Sequence, residues 1–374
     1  MSRIVAVASV LPAHAYPQAE ISAEIGPLVT RDPAKAALLA RLHASCGVER
    51  RHLALPLERY RTLTSFDETN ALALELGLDL AARAVRDALA AAGLEPHDVD
   101  HLMFTTVTSV GAPSIDALLV DRVGLRPDVT RLPSFGLGCA GGAAGLARVH
   151  DHLLGHPDHV ALLVSVELCS LTLQRDDDSV ANLVATGLFG DGAAAVVMAG
   201  AERDVPRGAS DVTRATWRAA PVVAGSRSML YPASTGALGW RVGASGLQIV
   251  LSGGLPDAVR ARVADDVKAL LSALGAVPDD VGTWLVHPGG PKILDAAQEA
   301  LGLPASAVAS SRASLARVGN LSSASVLHLL ADEIAADRGP AVPGEMGVLL
   351  AFGPGVGAEL VALRWPTRRK VDAA

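Results

Sequence analysis

PSFGLGCAGGAAGLARVHD, residues 133–151, is the stretch from which the rest of the chain can be read. A short extended run meets Gly136 and Gly138, delivers Cys139, and leaves through Gly141 and Gly142 into a helical pattern. Glycines at those positions allow a sharp strand-to-helix turn. A cysteine carried there sits at a helix N-terminus, where the dipole and the free backbone N–H groups favour a thiolate. The same glycines leave room for a bulky thioester. The plainer alternative is an inert core cysteine, since cysteine is among the most buried residue types.

Strands and helices alternate on both sides of this turn. Upstream, Leu72, Leu76 and Leu80 recur at helical spacing opposite Glu75, Asp79 and Arg83. They predict a helix over 69–92, ended by Gly93. A strand at 101–106 and a helix entered through 113–123 follow. Downstream come a helix at 140–154, a buried strand at 159–168, a short helix at 179–185 and a strand at 192–199. A polar stretch over 201–213 marks a boundary. Strand-like segments resume at 217–224 and 247–251, then a helix at 256–274, a strand at 283–286, helices at 291–301 and 321–336, and strands at 347–352 and 358–365. The two halves, residues 1–213 and 214–374, show no sequence repeat. Their similar patterns fit an α/β fold built as a duplicated α/β/α/β/α five-layered sandwich.

Composition excludes several classes. With 374 residues, half of them hydrophobic and only 3% aromatic, the chain can bury a large core of helices on strands. The net charge is −7, and the one dense basic stretch is a short tail at Arg368, Arg369 and Lys370, so nucleic acid is not an expected partner. Proline and histidine interrupt the N-terminal apolar stretch before a signal-peptide core can form, and no apolar run reaches the roughly 20 residues that span a bilayer. A cytoplasmic protein is expected, without a membrane partner. Three scattered cysteines, Cys46, Cys139 and Cys169, make neither a disulfide framework nor a paired zinc motif, and no metal site is expected.

Two further residues stand out by position. His287, in TWLVHPGGPKIL, ends a short apolar strand before a glycine turn and a helix that Pro291 can open, and ligand-binding groups collect at the carboxyl ends of strands in α/β sheets. A lone histidine is more often a core or surface residue with a satisfied hydrogen bond. Asn320 opens GNLSSASVLHLLADE at a predicted helix start. Asparagine there is ordinarily only a cap, but with an imidazole beside it the amide could form an oxyanion hole.

The three together resemble the type III polyketide synthases, the chalcone and stilbene synthase-like enzymes, and their bacterial members most of all. The resemblance covers nearly the whole chain. It is carried by GLGCAGG around Cys139, GLFGDGAAA at 187–195, WLVHPGGPKIL around His287, GNLSSAS around Asn320 and AFGPGVGAEL at 351–360. It implies a thiolase-like fold and acyltransferase activity without a cofactor beyond coenzyme A thioester substrates. Cys139 would accept a starter acyl group from its acyl-CoA, with His287 lowering the thiol pKa as an ion-pair partner. His287 and Asn320 would stabilise the malonyl-CoA enolate formed by decarboxylation, and the extended chain would cyclise to a pyrone or phenolic product. Phe189 would be a gatekeeper whose apolar ring disfavours the malonyl carboxylate, and Ile249 stands where relatives often carry a second phenylalanine. Thr108, Ser109, Cys169, Thr172, Trp240 and Ser322 would shape the cavity. Arg50, Arg51, Lys292 and Gly289 would meet coenzyme A, the cations through its phosphates. A homodimer is implied.

The nearest rival is a ketoacyl-acyl carrier protein synthase of the third kind, which shares fold and triad. Such enzymes follow the histidine with Gln-Ala-Asn and read a carrier protein through a basic patch, whereas Pro288, Gly289 and Gly290 follow His287. A non-catalytic acyl-CoA-binding protein of the same fold is the alternative from a different class.

Overall fold

A computed structural model describes residues 1–335 and 345–366. Nine strands pair in one sheet, in the order Val281–Val286, Met346–Gly353, Gly357–Arg364, Val222–Leu230, Ser2–Val10, Asp191–Ala199, Val160–Leu168, His101–Thr106 and Thr130–Phe135. The sheet is two wings. Ser2–Val10 joins them through only two residue pairs, Ser2 with Val223 and Arg3 with Val222.

The wings face one another across the central helices Gly141–Gly155 and Ser325–Ala335, which touch strands of both. Helix Phe66–Ala92 covers the outer face of the first wing, and helix Leu255–Ala273, with Pro291–Leu301 against it, covers the second. This is the five-layered, thiolase-like α/β sandwich. Period-two alternation explains how each strand serves two layers. In Asp191–Ala199, Ala193, Ala195 and Val197 enter the outer core under Phe66–Ala92, while Ala194, Val196 and Met198 enter the central core. In Met346–Gly353, Val348, Leu350 and Phe352 face the second outer core, and Leu349 and Ala351 face the central one. Strands buried on both faces read as unbroken apolar runs, as expected.

Several predicted elements need correction. Helix Phe66–Ala92 starts earlier than predicted because Ser65 caps it, accepting from the Glu68 N–H at 3.2 Å. The segment predicted as strand from Trp217 begins as helix Asp211–Ala219, capped by Ser210. Trp217 is buried on that helix with its indole N–H donating to the Ala92 carbonyl at 2.9 Å, so a β-favouring residue was held helical by a tertiary contact. Helix Ala309–Val318 and strand Ser2–Val10 were not anticipated. The helix predicted from Leu321 starts at Ser325, after a 3-10 turn at Ser322–Ala324. Its predicted last residue, Ala336, and the basic tail lie outside the described residues.

Candidate active site

Strand Thr130–Phe135 runs into the 3-10 turn Gly138–Ala140 and then into the central helix. Close approach dictates the glycines. Gly138 has φ +51°, and a Cβ there would lie 2.5 Å from the Pro354 ring, while one at Gly142 would lie 2.3 Å from the Ser323 carbonyl. The packing that needs these glycines also brings 319–325 and 353–354, from the second half, against Cys139.

Cys139 Sγ lies 3.7 Å from Ser322 Oγ. Ser322 is buried with φ +49°, a left-handed conformation that a non-glycine residue holds only when its surroundings enforce it. The neighbouring Asn320 is pinned by its backbone: its N–H donates to the Leu188 carbonyl at 2.9 Å, and its own carbonyl accepts from the Gly190 N–H at 2.9 Å. These two bonds bracket Phe189. The Asn320 side-chain oxygen accepts from the Ser322 N–H at 2.8 Å and Ser325 Oγ at 3.3 Å, which leaves the amide NH2 as the end available to the sulfur or a ligand.

His287 follows strand Val281–Val286, and its N–H donates to the Leu350 carbonyl at 2.8 Å. Strand Met346–Gly353, which carries Leu350, packs its far end on the Cys139 turn: a Cβ at Gly353 would meet the Leu137 carbonyl at 2.4 Å. Gly290 approaches the Leu188 side chain, so the His287 loop, Phe189, Asn320 and Cys139 converge. His287 is 1% exposed, and neither ring nitrogen has a hydrogen-bond partner among the described residues. Buried polar atoms are rarely left this way, and such an orphan points to a ligand.

Burial pushes the Cys139 thiol up to about 12, reinforced by the Glu167 charge and opposed by Ser322 and Asn320. Burial also pushes His287 down to about 3. Each shift is the cost of one charge standing alone in a dry site. In the resting protein both shifts favour the neutral forms, thiol and imidazole.

Glu167 was missed by the sequence reading. It is the penultimate residue of the buried strand Val160–Leu168, where a charged residue in an apolar run was the available signal. One carboxylate oxygen accepts from the Ser323 hydroxyl and, at 3.4 Å, its N–H. The other accepts from the Val107 N–H at 3.1 Å, Thr108 Oγ1 at 3.0 Å and Thr106 Oγ1 at 3.4 Å. Burial raises its pKa against the pull of these donors. The network ties the strand ends of the first wing to the Asn320–Ser325 turn.

Phe189, Ile249, Trp240, Cys169 and Thr172 line one narrow cavity of about 50 Å³, with Ile249 paired to Trp240 across a hairpin. Thr172 also lines an adjoining cavity of about 290 Å³, together with Thr108. Ser109 is buried and lines neither, and Cys139, His287 and Asn320 lie outside both linings. Arg50 and Lys292 are exposed, and Gly289 is partly so. Arg51 corrects the expectation of a cationic rim. It is 3% exposed and turned inward, donating to Gln18 Oε1 at 2.9 Å and to the Phe189 carbonyl at 2.6 Å, because its side chain lines the narrow cavity. Its Nη2 is buried with no hydrogen-bond partner among the described residues.

Residues 2–202 match the model of the N-terminal domain of chalcone and stilbene synthases, and residues 222–366 that of the C-terminal domain. The chain is 54% identical to a 1,3,6,8-tetrahydroxynaphthalene synthase of Streptomyces peucetius subsp. caesius, over 97% of this chain and 93% of that one. It is 31% identical to the alpha-pyrone synthesis polyketide synthase-like Pks18 of Mycobacterium tuberculosis (strain ATCC 25618 / H37Rv), over 88% and 82%. Among solved structures, the tetrahydroxynaphthalene synthase of Streptomyces coelicolor A3(2) superimposes with a TM-score of 0.87 at 29% identity, covering 98% of this chain and 99% of that one.

Proposed function

The chain belongs to the chalcone and stilbene synthase family, the type III polyketide synthases, and from that premise we propose that Cys139 is its acyl-carrying nucleophile and His287 with Asn320 its proton-and-oxyanion pair. As an acyltransferase of this family it condenses an acyl-CoA with malonyl-CoA with loss of carbon dioxide. The observation that carries the residue assignment is the buried, unpartnered imidazole of His287.

In the loading step the imidazole takes the thiol proton, the sulfur attacks the starter thioester carbonyl, and coenzyme A leaves. In the extension step malonyl-CoA loses carbon dioxide, and the enolate oxygen is held by the protonated His287 and the Asn320 NH2. The enolate carbon then attacks the acyl-enzyme and the Cys139 thiolate departs. The new β-ketoacyl chain returns to Cys139 for the next round. Phe189, bracketed by the Asn320 backbone, makes the malonyl site apolar enough to disfavour its carboxylate.

The starter we assign is malonyl-CoA itself and the product a tetrahydroxynaphthalene, a carbon skeleton built wholly of two-carbon units. The 54% identical Streptomyces peucetius enzyme supports this. Exposed Arg50 and Lys292 serve the coenzyme A phosphates. The chain acts as a homodimer through the outermost strand Thr130–Phe135, which leaves Leu132 and Phe135 half exposed, and light scattering on the purified chain reads that state. No helix of the described residues is long and apolar enough to cross a membrane.

Incubation with malonyl-CoA alone, followed by mass spectrometry, tests the assignment. Tetrahydroxynaphthalene, or its oxidation product, is expected and should vanish in Cys139→Ala. Turnover only when a separate acyl-CoA is added would overturn the starter, and full turnover by Cys139→Ala would overturn the nucleophile.

A further inference from the structure

The helix that begins beside Cys139 ends in a cluster of imidazoles unconnected with the condensation chemistry. His152 lies in its last turn, His156 is the residue that caps it, and His159 follows a tight turn into strand Val160–Leu168. The sequence HLLGHPDH over 152–159 thus carries histidines four and then three residues apart. One ligand-capable atom from each lies within 4.8 Å of the others, the one such group of three or more among the described residues.

His152 and His159 share a hydrogen bond, and the His156 ring stacks on His152 with centres 4.4 Å apart and planes inclined by 12°. An ion would therefore take the place of the shared proton, with the exposed His156 ring turning to meet it. His152 Nε2 and His159 Nδ1 stand 3.2 Å apart, close to the ~3.3 Å edge between two nitrogens on a tetrahedral ion with bonds of ~2.0–2.1 Å. His156 Nδ1 lies 3.1 Å from the His152 carbonyl. A carbonyl only accepts, so this ring carries its proton on Nδ1 and keeps the Nε2 lone pair free. Donating the second ring nitrogen to a backbone carbonyl is how metal-bound histidines are oriented. His101 stacks flat on His152, with ring centres 4.1 Å apart and planes inclined by 15°, and is itself anchored to Thr130 Oγ1 at 2.9 Å. It fixes the plane of the central ligand.

We propose that His152, His156 and His159 bind one divalent transition ion of the zinc, nickel or copper class, with water completing the coordination. Three imidazoles without a carboxylate select these borderline ions over calcium or magnesium, which take oxygen ligands. The central helix has fifteen residues, so about 22 Å of helix separates the ion from the Cys139 turn. The ion therefore does no chemistry on substrate. It ties the end of the buried helix to the start of the next strand.

The test is calorimetric titration of the tag-free chain, in a Cys139→Ala background that removes the proposed nucleophilic thiol, with zinc and separately nickel chloride. One ion per chain is expected, with a raised melting temperature. His156 is exposed, so His156→Ala should fold normally yet bind at least about tenfold more weakly and lose the metal-dependent rise. His159→Gln should do the same, while His156→Ala in the chain with Cys139 intact should form product at the parent rate. Absence of saturable binding, or equal affinity in the parent and both variants, would overturn the site, the latter placing the ion on a remaining thiol or elsewhere.

Discussion

Glu167 and His287 are both buried ionisable groups near Cys139, one from each half of the chain, and they are treated in opposite ways. Glu167 accepts from Thr106, Val107, Thr108 and Ser323, so its place in the site is fixed by bonds that folding completes. His287 has neither ring nitrogen bonded among the described residues, which is what its proposed proton-and-oxyanion role requires. A satisfied network holds geometry, whereas an unsatisfied group, costly to bury, is kept for chemistry.

That contrast predicts opposite phenotypes. His287→Gln, close in size and losing no side-chain bond of the resting protein, should lower kcat by about 10²–10³-fold with little change in melting temperature. Glu167→Gln should do the reverse. Its NH2 would face donors, leaving at least one of them unpaired and costing ~1–3 kcal/mol in denaturant unfolding, with a smaller loss of rate. If Glu167→Gln proved the more damaging to turnover at equal stability, the contrast between scaffold and reagent would fail.

The pH dependence of stability sharpens the same point. His43, His287 and His328 are all held neutral by burial, at about 4, 3 and 4. Their unfolded values lie near 6.5, so between those limits the unfolded chain binds more protons. Their contribution to stability is complete above about 6.5 and is lost progressively as pH falls towards 3 to 4, read as a falling urea midpoint. His43 and His328 keep hydrogen bonds to the Leu183 and Ala193 carbonyls, so a His287→Gln chain should retain most of this acid sensitivity. The smallest effect is expected at the cavity wall, where Ile249→Phe, against Trp240, should leave turnover within a few fold and shift the product pattern towards shorter chains.

Much of this was legible before the structure. Cys139, His287 and Asn320 each stand at a junction of strand, turn and helix, and junctions are what glycine, proline and apolar runs mark in a sequence. The layered fold was legible too, because strands buried on both faces leave unbroken apolar runs. Glu167 was not read, since one acid in a strand says nothing about the five donors that other segments bring to it. Arg51 was misread because sequence cannot distinguish a solvated arginine from one folded inward to a carbonyl. The helix at Asp211–Ala219 was hidden by the same limitation, as a tryptophan that favours strands is held helical by a contact 125 residues away.

Whether His287 activates Cys139 is read from the rate of Cys139 alkylation by iodoacetamide as a function of pH, resolved from Cys46 and Cys169 by peptide mass, in the parent chain and in His287→Ala. The parent profile should have a midpoint well below that of the variant, because the imidazole takes the thiol proton. Superimposable profiles would contradict it, leaving His287 without a part in activating the nucleophile.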